Sequence, residues 1–213
     1  MDEPLVAHSA NEVRYYLMVR PCPRCGKGPL TAEEGPAADG DPRREIPRSG
    51  SPAAAGRIRV RARCHSCAAV HEMAFACDAP AADLLDEASE SETINAGSAP
   101  SKLIDLGQWV SLFYLLVESA ASEPSPPAAR QLGHRAALCL AEALKFYSDN
   151  ELPPQTAFFT RASQDAFREH PENFARQRLR DMQDRLPAPS SAARVAAGGD
   201  RPGRRRWWRF WSR

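Results

Sequence analysis

No stretch of this chain is long and apolar enough to cross a bilayer. Its longest apolar run, Val110 to Val117, contains Ser111 and falls far short of the roughly 20 residues that a spanning helix needs. The opening residues, Met1-Asp2-Glu3-Pro4, are acidic and lead into no hydrophobic h-region, which argues against a secretory signal. Neither sign of charge prevails: 28 basic residues stand against 27 acidic ones, so net charge alone selects no partner. There is no nucleophile motif, no Gly-rich phosphate loop and no internal repeat at a fixed period. Histidine is scarce, five in all, and His134 and His170 lie in helical patterns without paired ligand spacing. These absences lead us to expect a protein that is not an enzyme and has no small-molecule substrate.

What the chain does have is two pairs of cysteines. Cys22-Pro23-Arg24-Cys25-Gly26 is answered downstream by Cys64-His65-Ser66-Cys67. A structural zinc ion takes four ligands in a tetrahedron, with sulfur about 2.3 Å from the metal. Two cysteines separated by two residues supply one edge of that tetrahedron from a single tight turn. Pro23 presets φ for the turn, and Gly26 is free to take positive φ just after it. Backbone N–H groups in such a turn can point at the sulfurs and stabilise their charge. The pattern predicts one structural Zn²⁺ held by Cys22, Cys25, Cys64 and Cys67, in preference to a redox dithiol pair or four unrelated core cysteines. His65 and His71 read as surface polar residues of a hairpin rather than as substitute ligands. Cys77 and Cys139 have no partner at ligand spacing and read as small apolar packing residues. Thiolates persist in a reducing compartment, so the expected location is the cytoplasm.

The first pair, with its Pro23 and Gly26, followed by the distant Cys64-x-x-Cys67, resembles the zinc-ribbon superfamily over roughly residues 15–77. Ribbons are small β-structures with a knuckle at each of two hairpin turns, and the resemblance implies that fold here. Two features depart from the pattern. Ala68 follows the second pair where a glycine is common, and the segment between the knuckles is longer than a minimal ribbon needs. Ribbons bind nucleic acid, bind proteins or merely staple a fold, so the resemblance leaves the role open.

Residues 1–12 read as a polar lead-in. Tyr15-Tyr16-Leu17-Met18-Val19-Arg20 is aromatic and β-branched and stops at Pro21, the composition of a strand. Residues 31–56, rich in Gly, Pro, Ala, Asp and Arg, read as a flexible insertion. In Arg57-Ile58-Arg59-Val60-Arg61-Ala62-Arg63 the alternation is strict, and this strand feeds into Cys64. A return strand from Ala69 to Ala76, with His71, Met73 and Phe75 on one side, completes a hairpin. The ribbon is thus placed at 13–78.

An acidic linker follows at 79–101, carrying Asp83, Asp86, Glu87, Glu90 and Glu92. The helical domain is expected over 102–187. Asp105 with Gln108 forms a capping-box pattern ahead of a helix to about Ala120, with Ile104 and Trp109 as its hydrophobic staple. Ser125 and Pro126 open a second helix to about Tyr147. Short helical pieces follow near 155–159 and 163–169, and a last helix runs from Glu172 to about Leu186. The fold class is α+β: a small antiparallel β zinc ribbon, an α-helical bundle of about three principal helices, and a disordered tail at 188–213.

Two stretches are candidates for partner binding. Arg57, Arg59, Arg61 and Arg63 share one strand face, which would contact phosphates in a nucleic-acid complex. The same pattern serves as a solvated face that blunts edge pairing and offsets a negative metal centre. The tail ends in Arg204-Arg205-Arg206-Trp207-Trp208-Arg209-Phe210-Trp211 and holds three of the four tryptophans. Arginine with tryptophan suits an anionic membrane surface or a groove on a protein partner, and to a lesser degree packing back on its own domain or single-stranded nucleic acid. The expectation is an adaptor that joins a protein partner to a membrane face or larger assembly, with a nucleic-acid-binding regulator as the alternative.

Overall fold

A computed structural model of the chain describes residues 5–33, 56–77 and 94–186. The chain divides into two units between Asp105 and Leu106. Unit 1 holds strand β1 (Leu5–Ala7), helix α1 (Ala10–Val19) and strands β2 (Leu30–Ala32), β3 (Gly56–Cys64) and β4 (Val70–Cys77). The sheet order is β1-β4-β3-β2. The arginine-rich strand and its return strand pair antiparallel from Gly56↔Cys77 to Arg63↔Val70, which is the expected hairpin. β1 joins the far side of β4 in parallel, so the sheet is mixed rather than antiparallel throughout. Alternation along β3 sorts its side chains: Val60, Ala62 and Cys64 are buried, whereas Arg59, Arg61 and Arg63 are exposed.

The segment Tyr15–Arg20 is helical, not a strand. Ser9 stands in extended conformation as the N-cap of α1, and its hydroxyl accepts from the Glu12 N–H at 3.1 Å. The Glu12 carboxylate reaches back to accept from the His8 N–H. This reciprocal cap starts the helix inside what reads as a polar lead-in, and Glu12 is fully buried by it. Val13, Tyr16 and Leu17 then recur at helical spacing as the buried stripe. Tyr16 meets Phe75 of β4 edge-on, with ring centroids 5.9 Å apart. Local capping and a stripe to bury against the sheet outweigh the β-propensity of Tyr15–Val19.

Residues 94–105 belong to unit 1. The Ser9 hydroxyl donates to the carbonyl of Ile94, itself a buried residue. The Asn95 side chain closes a turn by accepting from Gly97 N–H and donating to the Ala99 carbonyl, both at 2.8 Å. This end of the stretch assigned to the acidic linker is therefore ordered. Its acidic residues 83–92, most of the insertion (34–55) and the tail from residue 187 lie outside the described residues.

Unit 2 contains α2 (Leu106–Ser122), α3 (Pro126–Leu144), α4 (Arg161–Glu169) and α5 (Arg176–Asp184). Single 3₁₀ turns at Gln155–Ala157 and Pro171–Phe174 join them. α2 packs along α3, α4 lies on α2, and α5 lies on α3. Trp109, Leu112, Leu140 and Leu179 are fully buried at the centre. The last helix is shorter than its pattern suggests. Ala175 is extended, with φ −68° and ψ 131°, and has no side-chain cap to offer. Glu151 supplies the cap from another loop: its carbonyl accepts from Arg176 N–H and its carboxylate from Gln177 N–H, at 2.8 and 2.9 Å. Phe158, Phe167 and Phe174 stack beside it, and the buried Tyr147 hydroxyl donates to the Phe174 carbonyl at 2.6 Å.

Candidate metal centre

The two knuckles are built alike. In the first, Gly26 N–H donates to the Cys22 carbonyl and Cys22 N–H to the Lys27 carbonyl. In the second, Ala68 N–H donates to the Cys64 carbonyl and Cys64 N–H to the Ala69 carbonyl. Each turn ends in a left-handed residue, Gly26 with φ 69° and Ala68 with φ 56°. The knuckles are also tied to each other, by His65 N–H to the Pro29 carbonyl at 3.0 Å and Ser66 hydroxyl to the Gly28 carbonyl at 3.1 Å. The first knuckle hangs between α1 and β2, and the second is the turn of the β3–β4 hairpin. The first is thus entered from a helix rather than from the expected strand.

This frame brings the four predicted sulfurs together. Cys22, Cys25, Cys64 and Cys67 place their Sγ atoms within 4.8 Å of one another. Cys22 lies 3.7 Å from Cys67, and Cys25 lies 3.7 Å from Cys64. A tetrahedron with arms of about 2.3 Å has edges of about 3.8 Å, so the quartet fits a thiolate-bound zinc ion. Cys22 and Cys64 are buried, and Cys25 and Cys67 half-buried. Burial alone would raise the Cys22 thiol. Hydrogen bonds from the backbone N–H groups of Cys25 and Arg24, with His71 and Cys64 adding to them, bring it down to about 6. The Lys27 N–H lowers the Cys25 thiol, but desolvation and its bonds to the other three sulfurs push it up to about 11. The two thiols are thus pushed in opposite directions within one cluster, Cys22 toward the thiolate that a metal needs and Cys25 away from it. Cys77 and Cys139 stand apart from this cluster and are fully buried, in keeping with packing roles.

No protein-family model, curated protein or solved structure matches this chain. The centre therefore stands on its own geometry: four cysteines gathered at metal-binding distance in a ribbon-like pair of knuckles.

Three further residues contribute to the centre. His71 Nε2 lies 3.2 Å from Cys22 Sγ, so this residue is not merely a polar surface group of the hairpin. Strand parity carries the signal: His71 pairs with the buried Ala62 and shares the inner side with Met73 and Phe75. Glu33, just past β2, accepts from Arg63 and lies 3.6 Å from Arg61. Arg63 also donates to the Ala68 carbonyl at 3.2 Å, which braces the second knuckle from outside. Of the predicted arginine face, Arg59 is exposed, and Arg61 and Arg63 are shared with Glu33; Arg57 lies in β3, and its side chain is not described. Arg204, Arg205, Arg206, Trp207, Trp208, Arg209, Phe210 and Trp211 lie outside the described residues. Among the described residues no helix is long and apolar enough to cross a membrane.

The matched knuckles give a paired prediction. A Cβ at position 26 would meet nothing within 4 Å, so glycine is needed there only for its φ. A left-handed Cβ residue costs about 1–2 kcal/mol. Gly26→Ala is expected to destabilise unit 1 by about 1 kcal/mol, and Ala68→Gly to stabilise it by up to about that much, since glycine's extra unfolded-state entropy takes back part of the gain. Chemical denaturation of the zinc-loaded variants reads both shifts. Equal effects of the same sign would contradict the equivalence of the two turns.

Proposed function

We propose that this chain is a zinc-stapled interaction protein of the zinc-ribbon kind, non-enzymatic, with one structural Zn²⁺ on Cys22, Cys25, Cys64 and Cys67. The convergence of those sulfurs from two turns far apart in sequence carries the reading. β1 and β2 have three residues each, too little sheet to hold two knuckles together by packing alone. A bound metal supplies about 10–16 kcal/mol of folding energy in such modules. In this reading the protein is an adaptor. The zinc-bearing and helical units engage a protein partner, and the Arg204–Trp211 tail docks on an anionic membrane surface or a partner groove from the cytoplasmic side. Support for the tail's role is its composition, which combines four arginines with four aromatic residues over positions 204–211.

The nucleic-acid alternative draws on the arginine strand. There Glu33 pairs with two of the four arginines, offsetting one of their charges, and Arg63 serves the second knuckle. A steep fall of single-stranded DNA affinity with salt, its slope reduced by about one phosphate contact in Arg59→Ala, would revive it.

Elemental analysis of protein purified without chelator is expected to give one zinc per chain, lost on substitution of any of the four cysteines. For the tail, the full chain is expected to co-sediment with phosphatidylserine-containing vesicles, and a chain ending at Gly199 to stay in solution. Equal behaviour of the two forms overturns the membrane arm and leaves the tail as a protein-docking segment, for which residues 202–213 serve as bait.

A further inference from the structure

We infer that His71 is a fifth, non-ligating residue of the metal centre, donating its Nε2–H to the Cys22 thiolate and slowing loss of the metal. The inference rests on the zinc reading above. Its Nε2 stands 3.2 Å from Cys22 Sγ, within hydrogen-bond reach for sulfur, and His71 is the histidine that approaches the sulfur quartet among the described residues. The register of the hairpin fixes this approach. Ala62, paired with His71, is two residues before Cys64 and on the same inner side of β3, so the imidazole faces the centre rather than solvent. The half-buried ring is held by a strand rather than by a loop, which lowers the cost of keeping it in place.

The chemistry selects the donor. A metal-bound thiolate carries no proton and can only accept, so the hydrogen of this contact must sit on Nε2. Four thiolates on Zn²⁺ leave a net charge of −2, and each N–H aimed at a sulfur spreads that charge. Cys22 already accepts from the turn's own N–H groups at Arg24 and Cys25. His71 adds a donor from a different element, β4, and so ties the first knuckle to the hairpin that carries the second. The quartet is complete without the imidazole, since four mutually close sulfurs fill a tetrahedron. Partners of this kind, behind the ligands, change metal affinity by about 10–100-fold.

The test uses the full chain with Co²⁺ and Zn²⁺ as probes. Wild type, His71→Phe and His71→Gln are each loaded with Co²⁺, whose charge-transfer and d–d bands distinguish four sulfurs from three sulfurs and one nitrogen. Transfer of zinc to a chromophoric chelator is then timed. We expect four-sulfur bands in all three proteins, about tenfold faster zinc loss in His71→Phe, and near-normal retention in His71→Gln, whose amide keeps an N–H donor. Three-sulfur, one-nitrogen bands in wild type would make His71 a ligand and overturn the inference. So would unchanged retention in His71→Phe, or equal losses in the Phe and Gln variants, which would reduce His71 to a packing role. Wild type that takes up no metal overturns the zinc reading itself, and this inference with it.

Discussion

Cys22→Ser is expected to unfold unit 1 and to leave unit 2 folded. The Cys22 sulfur is buried, 1 % exposed, and a serine oxygen is a poor zinc ligand in its place. If the quartet holds zinc as proposed, losing it removes about 10–16 kcal/mol, comparable to or larger than the whole stability of an ordinary domain, about 5–15 kcal/mol. What remains in unit 1 is one ten-residue helix on a sheet with three-residue edge strands. Unit 2 has its own core around Trp109, Leu112, Leu140 and Leu179, with no ligand among them. Amide exchange read by mass spectrometry separates the two. Protection of 10–19 and 56–77 is expected to vanish in Cys22→Ser, and also in wild type treated with a strong chelator, while 106–122 and 126–144 stay protected. A variant without metal that kept its protected hairpin would refute a structural role for zinc. Loss of protection in both units would show that unit 2 depends on unit 1.

The centre was legible because its ligand chemistry is local. Each Cys-x-x-Cys defines one edge of a tetrahedron by itself, and the glycine after Cys25 announces the left-handed turn that follows it. Ala68 adopts the same conformation without the glycine that would have announced it. The supporting residues were harder to see. Glu33 comes within reach of Arg61 and Arg63 only through the β2–β3 pairing, whose register no local pattern fixes. His71 was within reach of sequence reasoning: the alternation that buries Val60 and Ala62 also assigns the inner side of the return strand to His71, Met73 and Phe75.

The fold shows the same division. α2 and α3 begin where Asp105 and Ser125-Pro126 place them, although the Ser125 side chain makes no capping hydrogen bond; the prolines at the helix start have no N–H and leave fewer donors to cap. For α1 the composition of Tyr15–Val19 favours a strand, while the decisive helical signal, Ser9-x-x-Glu12, lies upstream of it. The break before α5 has no local marker at all. Its cap comes from Glu151, more than twenty residues away, and a long-range hydrogen bond leaves no trace in periodicity.

Gly107→Ala is expected to destabilise unit 2, against the ordinary preference of helices for alanine. In isolation the change should gain up to about 1 kcal/mol of helix propensity. Here α2 and α4 meet at this residue. A Cβ at 107 would stand 2.6 Å from Ser163 Oγ, 2.7 Å from Ser163 Cβ and 3.3 Å from its Cα. Ser163 cannot swing away, because its N–H is capped by Thr160 Oγ1 and the Thr160 hydroxyl donates to its Oγ at 2.8 Å. The helices must therefore part, and overpacking of this kind costs about 1–3 kcal/mol. The clash outweighs the propensity gain by up to about 2 kcal/mol, a fall of up to roughly 8–16 °C in the melting of a unit this small. Second-site changes identify the cause. Ser163→Ala removes the Oγ contact but keeps the Cβ contact, so it should restore little in the Gly107→Ala background. Ser163→Gly removes both and should restore more, less its own helix cost of about 1 kcal/mol. A rise in melting temperature for Gly107→Ala alone would mean that propensity governs this position and that α2 and α4 are not held at the spacing glycine permits.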